Sequence, residues 1–255
     1  MSTPIRPATD SGSNLNPGAE MPPKPEKASL VEDFIDIFYA PSTVFSRRAN
    51  ASFWMPLLII TIVSAAFAFA NRNVFSAIFD AEFQRGAAKA MAANPQITPD
   101  QMATMRGIQE KVAAAFGYIG TPIFIFVVSL IVWLSAKLVS AKMTYGQAVL
   151  IMTYAWIPRL VQGLLTTVQM LLLDTSSITS MHSFGFSPAR FVDRDSMPSL
   201  AFNLLGRLDL FTIWVTILIG IGIAVIGNVP RTKGYIAAAI VFVLGTIPAL
   251  FAGGG

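Results

Sequence analysis

Arg159 is the residue with the most unusual surroundings in this sequence. It lies about 14 residues beyond Tyr145, inside an apolar stretch that runs from about 146 to 173. If that stretch is a membrane-spanning helix, a rise of about 1.5 Å per residue places the guanidinium near the middle of the bilayer. An arginine there costs roughly 2.5–3.5 kcal/mol on insertion scales, so it should face the interior of a helical bundle and find polar partners.

Two roles for Arg159 follow from its chemistry. The first is a polar pocket for a lipid headgroup or another anionic ligand. The second, which we favour, is structural. Pro158 lacks an N–H, so it leaves the carbonyl of Tyr154 without its helical partner and free to accept a hydrogen bond from the guanidinium. The proline also predicts a break in the helix. No acidic partner for Arg159 is expected within the spanning stretches.

A second group of residues whose types could support catalysis lies around His182. Ser180, Ser183 and Asp174 lie near it, but no G-x-S-x-G elbow accompanies them, so a surface histidine is the favoured interpretation. With one histidine and no cysteine, the chain cannot assemble the usual zinc ligand sets. The P-loop and H-E-x-x-H motifs are also missing from the sequence. We therefore predict no catalytic, cofactor-binding or metal-binding residues, and a protein that is not an enzyme.

The composition indicates a membrane protein. Hydrophobic residues make up 54% of the 255 residues and charged residues only 13%, whereas a soluble domain carries about 25% charged residues. The formal net charge is +4, but the basic residues are scattered along the chain. Nucleic-acid binding is therefore not expected.

Five apolar stretches are long enough to cross a hydrocarbon layer of about 30 Å. They run over about 53–71, 118–136, 146–173, 209–227 and 235–252. Every backbone polar group must be satisfied within lipid, and the stretches are nearly continuous in apolarity and do not alternate, so they are predicted to be helices. The predicted fold is an all-α polytopic bundle of five transmembrane helices over residues 29–252. Residues 1–28, rich in proline, serine and asparagine, predict a disordered tail and not a cleavable signal.

A short amphipathic helix is predicted before the first span. Ser29 and Glu32 form an S-x-x-E capping box, and Pro41 ends the periodic stretch. One face carries Leu30, Val31, Phe34, Ile35, Ile37 and Phe38, and the other carries Glu32, Asp33 and Asp36. The helix is too short to span a bilayer, so we expect it at the interface or under the bundle. Its acidic face is either a docking surface for a partner or a face that is solvated or paired with Arg47, Arg48, Lys137 and Lys142.

The orientation follows from the basic residues beside the spans. These residues are Arg47, Arg48, Lys137, Lys142, Arg231 and Lys233. All six lie on one side if the N-terminus is cytoplasmic, which places the C-terminus outside. Of the two connections on the other side, 72–117 is expected to contain a helix that begins at Thr98, Pro99 and Gln101. The second, 174–208, shows no clear period.

The last two spans are rich in small residues. Gly220 and Ala224 form a small-xxx-small pair, a pattern that lets helices approach closely. Packing of these two spans within one chain is favoured over dimerisation.

Three segments resemble the Yip1 domain family in its prokaryotic form. They are IDIFYAPSTVF before the first span, MTYGQAVLIMTYAWIPRLVQGLL in the third, and LDLFTIWVTILIGIGIA at the fourth, with its Leu-Asp-x-Phe-x-x-Trp entry. The resemblance covers about residues 30–252. In the eukaryotic branch of this family a DLYGP-like motif is associated with membrane traffic and prenylated Rab-type GTPases. Here Ala40 stands in place of the glycine, and Tyr39 and Pro41 are the candidate contact residues.

The resemblance implies a non-enzymatic membrane protein that binds lipids or protein partners and organises the membrane. A prokaryotic cytoplasmic (inner) membrane is the expected location. The alternative is a small transporter or channel component, which could pass an anion beside Arg159. Proton- or cation-coupled transporters usually carry carboxylates or histidine within the bilayer, and none is expected here.

Overall fold

The computed structural model of the chain describes residues 29–172, 184–193 and 196–251, with the side chains of 249–251 left aside. Every regular element within these ranges is helical. The predicted tail at 1–28, the group around His182 and residue 252 lie outside the described residues. The all-α fold class is therefore confirmed for the described part of the chain.

The described residues form ten α-helices and a short 3₁₀ helix. They are α1 (Leu30–Tyr39), α2 (Pro41–Arg48), α3 (Trp54–Ala70), α4 (Arg72–Ala93), α5 (Pro99–Leu138), α6 (Tyr145–Ala155), α7 (Ile157–Leu172), the 3₁₀ helix (Pro188–Phe191), α8 (Ser199–Arg207), α9 (Leu210–Ile226) and α10 (Arg231–Phe251). The five stretches predicted to span the membrane fall on α3, α5, the α6–α7 pair, α9 and α10.

Not all of these helices are equally suited to crossing a bilayer. By length and composition, α5 and the α6–α7 pair are long and apolar enough. The number rises to four if the bent pairs α3–α4 and α8–α9 each count as one span. A membrane-spanning helical protein is thus supported, with two to four candidate spans among the described residues.

Short sequence signals set where several helices begin. Both predicted capping boxes are confirmed: Ser29 and Glu32 exchange hydrogen bonds of 3.2 and 2.7 Å at α1, and Thr98 and Gln101 exchange bonds of 3.3 and 3.0 Å at α5. Pro41 ends α1 as predicted, and it also opens α2, because the first position of a helix does not need an N–H.

The two connections predicted to lie on the far side contain more helix than the sequence indicated. The first holds α4 as well as the start of α5, which continues without interruption into the second predicted span for 40 residues in all. The second holds the 3₁₀ helix and α8. Sharp bends of 71° between α3 and α4 and of 54° between α8 and α9 turn the chain at these points.

The core of the bundle is centred on α6. Every residue from 148 to 155 is buried, and α6 contacts α3, α5 and α9. Beside it, α9 and α10 pack tightly: a Cβ atom added at Gly220 would lie 2.5 Å from Cδ1 of Tyr235, and one added at Gly234 would meet the carbonyl of Gly220. The predicted close packing of the last two spans within one chain is confirmed.

Candidate functional site

Arg159 lies in a polar cluster between α7 and the start of α9. Its Nη1 atom donates to Oε1 of Gln162 at 2.5 Å and to Oδ1 of Asp209 at 3.3 Å, and its Nη2 atom donates to the Thr212 hydroxyl at 2.6 Å. About a quarter of the Arg159 side chain is exposed, and Asp209 is almost fully buried. The buried Nε atom of Arg159 has no hydrogen-bond partner within the described residues.

Asp209 is the centre of this cluster. One of its carboxylate oxygens accepts from the backbone N–H groups of Phe211 and Thr212 at 3.1 Å each and so caps α9. The other accepts from the N–H of Phe186 at 3.2 Å, which ties the 184–193 segment to this helix. Because a carboxylate offers about four acceptor positions, Asp209 can serve the helix, the loop and Arg159 together.

Arg207, at the end of α8, is a second cation beside the same carboxylate. Its Nε atom donates to the Thr246 hydroxyl at 3.3 Å, and its guanidinium lies 5.3 Å from the ring centroid of Phe242. Its charge is close enough to act on both Asp209 and Arg159. Asp209 is the carboxylate that acts on both guanidinium groups, so the described part of this cluster carries one positive charge in excess.

The sequence-based account of Arg159 was wrong in two respects. An acidic partner exists, since Asp209 at the edge of the fourth predicted span reaches it. The side-chain hydrogen bonds of Arg159 go to Gln162, Asp209 and Thr212, and not to the carbonyl of Tyr154. The helix is interrupted, but at Trp156, two residues before the predicted position, because Pro158 fits into the first turn of α7.

A second polar cluster joins the N-terminal helices to α6. Asp33 is fully buried and accepts from Nε of Arg47 at 2.6 Å and from Nε of Arg48 at 2.5 Å, and the Tyr154 hydroxyl donates to it at 3.2 Å. Arg47 also donates to Asp36 at 2.7 Å. Burial lowers the pKa of Arg47, but the hydrogen bonds to Asp36 and Asp33 outweigh it and raise that pKa above its usual value.

This second cluster corrects the predicted orientation of α1. Asp33, assigned to the outer acidic face, is the most deeply buried charge of the helix, whereas Val31 and Ile35 are exposed. Of the alternatives for the acidic face, pairing with Arg47 and Arg48 is observed. Lys137 instead lies over the ring of Trp133, 4.1 Å from its centroid.

The candidate residues by resemblance, Tyr39 and Pro41, lie at the turn between α1 and α2. Tyr39 is the last residue of α1 and strongly exposed, and Pro41 is the first residue of α2. The structure does not bring either of them to Arg159. Sequence reasoning missed Asp209, Arg207 and Gln162. The signal that could have found Asp209 is its position as an N-cap before a long apolar run.

Comparison with known proteins relates the chain to a protein family. The model of the family described as the Yip1 domain matches residues 35–252. A protein of Bacillus subtilis (strain 168) named membrane protein YknW is 26% identical to the chain over 231 residues, which cover 89% of this chain and 91% of the relative. No solved structure matches the chain.

Proposed function

Because the chain belongs to the Yip1 domain family, we propose that it is a non-enzymatic membrane protein that binds lipids or protein partners and organises the membrane. The membrane location is supported by the apolar helices and by the bacterial relative, a membrane protein. Detection of turnover by the purified protein would overturn the non-enzymatic part of the proposal.

The proposed topology has five crossings, by α3, α5, α6–α7, α9 and α10, in the cytoplasmic membrane of a bacterium. The N-terminus is cytoplasmic and the C-terminus is outside. Two contacts support the placement of the basic loops at the same end of the helical bundle. Gln147 at the start of α6 donates to the carbonyl of Ala49 at 3.1 Å, and the N–H of Lys142 donates to the carbonyl of Gly227 at 3.1 Å. These bonds gather the basic residues of three connections at one end, as the positive-inside rule requires.

The topology can be tested with two single-cysteine variants, since the chain has no cysteine of its own. Thr232→Cys lies at the basic end and Gln96→Cys in the connection between α4 and α5, and both side chains are exposed. In intact cells, an impermeant maleimide should label Gln96→Cys and should reach Thr232→Cys only after the cells are opened. The reverse pattern would overturn the orientation.

Anionic lipid is the ligand that the Arg159–Asp209–Arg207 cluster supports best. The observation that carries this is the excess positive charge that the described residues leave at the start of α9, the end of that helix away from the basic loops. An uncompensated guanidinium near the hydrocarbon region is costly, and a lipid phosphate would supply the missing negative charge and strong hydrogen-bond acceptors. Arg207 is the residue proposed to contact the headgroup, because the hydrogen bonds of Arg159 are directed to its protein partners.

The excess charge can be tested by lipid binding. The protein in phosphatidylcholine nanodiscs is titrated with phosphatidylglycerol, and bound lipid is measured by native mass spectrometry. One basic residue near an anionic surface contributes about 1 kcal/mol, so Arg207→Gln should weaken binding about five-fold. Arg106→Gln, which removes a cation that is paired with Asp80 of α4, is the matched control. Equal binding by the wild type and Arg207→Gln would overturn the proposal.

The same excess charge supports the alternative function, a small transporter or channel component for an anion. Chloride efflux from liposomes that contain the protein separates the two. Lipid binding without efflux supports the lipid-binding role. Efflux that is lost in Arg207→Gln would favour the transporter.

A further inference from the structure

The two N-terminal helices extend deep along the transmembrane bundle. Ala49, after α2, lies beside the start of α6 at the basic end. Further in, Phe45 lies against α9 at Gly222, where an added Cβ would be 3.2 Å from the Phe45 ring, and Phe38 contacts Trp214 with ring centroids 5.4 Å apart. Trp214 precedes Gly227 by 13 residues, which corresponds to about 20 Å along α9. Counted from Gly227, the turn between α1 and α2 therefore reaches about two thirds of the way across a hydrocarbon layer of about 30 Å.

The segment formed by α1 and α2 begins and ends on the same side of the bundle. Asp33, six residues before Tyr39, returns to the level of Arg47 and Arg48, to which it is hydrogen-bonded. The charges of Asp33, Asp36, Arg47 and Arg48 sum to zero, and the central carboxylate also accepts from Tyr154. A neutral, hydrogen-bonded group of this kind is the form in which charges are tolerated away from water.

The outward face of α1 carries an apolar stripe that nothing in the described residues covers. Val31, Ile35 and Tyr39 follow one another at intervals of four, so they lie on one side of the helix. Their relative exposures are 69%, 56% and 83%. Such a stripe would be unfavourable in water. At this depth, however, it lies level with the exposed faces of the spanning helices, which are surrounded by lipid in the proposed topology.

We infer that α1 and α2 form a re-entrant hairpin inserted from the basic end, with the stripe of Val31, Ile35 and Tyr39 bound to lipid acyl chains. The hairpin enters through the leaflet at the basic end and adds most of its volume there, which gives the protein an asymmetric cross-section. The inference rests on the proposed crossing of the bilayer by α6–α7 and α9. It does not depend on lipid binding at Arg207.

The test uses fluorescent probes at single cysteines. Ile35→Cys and Tyr39→Cys are labelled with an environment-sensitive dye in liposomes of phosphatidylcholine and phosphatidylglycerol. The dye is then quenched either by lipids brominated at mid-chain or by aqueous iodide. Asn50→Cys, exposed at the basic end, is the water-facing control, and Ile217→Cys, exposed on the middle of α9, is the lipid-facing control.

The expected result is quenching by bromolipid at 35 and 39 that matches position 217 and is at least two-fold stronger than at position 50. Stronger quenching by iodide than by bromolipid at 35 and 39 would show that the stripe faces water and would overturn the inference. Protection from both quenchers, with cross-linking of Tyr39→Cys between copies, would assign the stripe to a second copy and would also overturn it. If bromolipid also failed to quench the dye at position 217, the crossing by α9 would be overturned, and with it the proposed topology.

Discussion

The hydroxyl of Tyr154 donates a hydrogen bond of 3.2 Å to Oδ2 of Asp33, across 121 residues of sequence. Both side chains are buried, and the bond joins the N-terminal helix to the central helix of the bundle. Asp33 also holds the two arginines that follow in α2. Helices α1 and α2 are therefore part of the folded bundle and not an appendage at its surface.

Removal of the Asp33 charge should strongly destabilise the protein. Asp33→Asn removes the buried carboxylate that both Arg47 and Arg48 contact, and breaking a buried ion pair by removing one partner costs about 3–5 kcal/mol. Tyr154→Phe removes one hydrogen bond to a charged group and should cost less, about 1.5–3 kcal/mol. Unfolding in detergent micelles, followed by tryptophan fluorescence, measures both.

Asp80→Asn is the matched control for this prediction. Asp80 pairs with Arg106 at 2.8 Å on the surface, where such a pair contributes about 0–1 kcal/mol. If Asp33→Asn were no more destabilising than Asp80→Asn, the Asp33 cluster would not join the hairpin to the bundle.

Local signals in the sequence were read correctly. The capping boxes at Ser29 and Thr98 act over three residues. The apolar stretches predict helices because an apolar run of about 20 residues can be recognised without knowing which other helices it packs against. The long α4 was missed because it is alanine-rich and has no apolar period. Its helical state rests on intrinsic propensity, which is a weak signal within a connection.

Pairings between distant elements could not be read from the sequence. Arg159 and Asp209 are 50 residues apart, and no spacing rule relates them. The same holds for the burial of Asp33: the helical periodicity placed it on the polar side of α1, but the arginines of α2 and the hydroxyl of Tyr154 make burial of that side possible. Which face of α1 turns inward is decided by these partners together with the buried Ile37, and not by hydrophobic periodicity alone.

The space around two glycines, one at the tight contact between α9 and α10 and one in α5, predicts opposite effects of alanine. A Cβ at Gly234 would meet the carbonyl of Gly220 and would lie 2.9 Å from Cβ of Ala224, so Gly234→Ala should cost about 1–3 kcal/mol by overpacking. At Gly107 in α5 nothing lies within 4 Å of an added Cβ, so Gly107→Ala should stabilise by about 0.5–1 kcal/mol through helix propensity. Melting temperatures in the same detergent check both, and a fall for Gly107→Ala would contradict the open environment of that position.

Asparagine and alanine at position 209 separate the capping role of this residue from its charge. Asparagine is as good an N-cap as aspartate, so Asp209→Asn should lose mainly the charge, whereas Asp209→Ala should lose about 1 kcal/mol more with the cap of α9. The difference in unfolding free energy between the two variants measures the cap. Equal stability would mean that the bonds to Phe211 and Thr212 contribute little.

Asp209→Asn should also strengthen binding of anionic lipid. The cluster would then hold two excess positive charges in place of one, and an added charge of this kind contributes about 1 kcal/mol, or about five-fold in affinity for phosphatidylglycerol. The change is opposite in sign to the one expected for Arg207→Gln, although both variants lose polar contacts. Weaker binding by both would indicate that the lipid responds to the fold of the cluster and not to its charge.

The pairing of Arg159 with Asp209 predicts non-additive effects on stability. Arg159→Leu alone leaves the nearly buried Asp209 without the guanidinium that contacts it at 3.3 Å, and the penalty should be about 3–5 kcal/mol. In the double variant with Asp209→Asn no uncompensated carboxylate remains, so the loss should fall short of the sum of the single losses by about 0.5–3 kcal/mol. Unfolding of the four proteins in one detergent gives this coupling. Additive losses would mean that Gln162 and Thr212, and not Asp209, are the partners that stabilise Arg159 in the membrane.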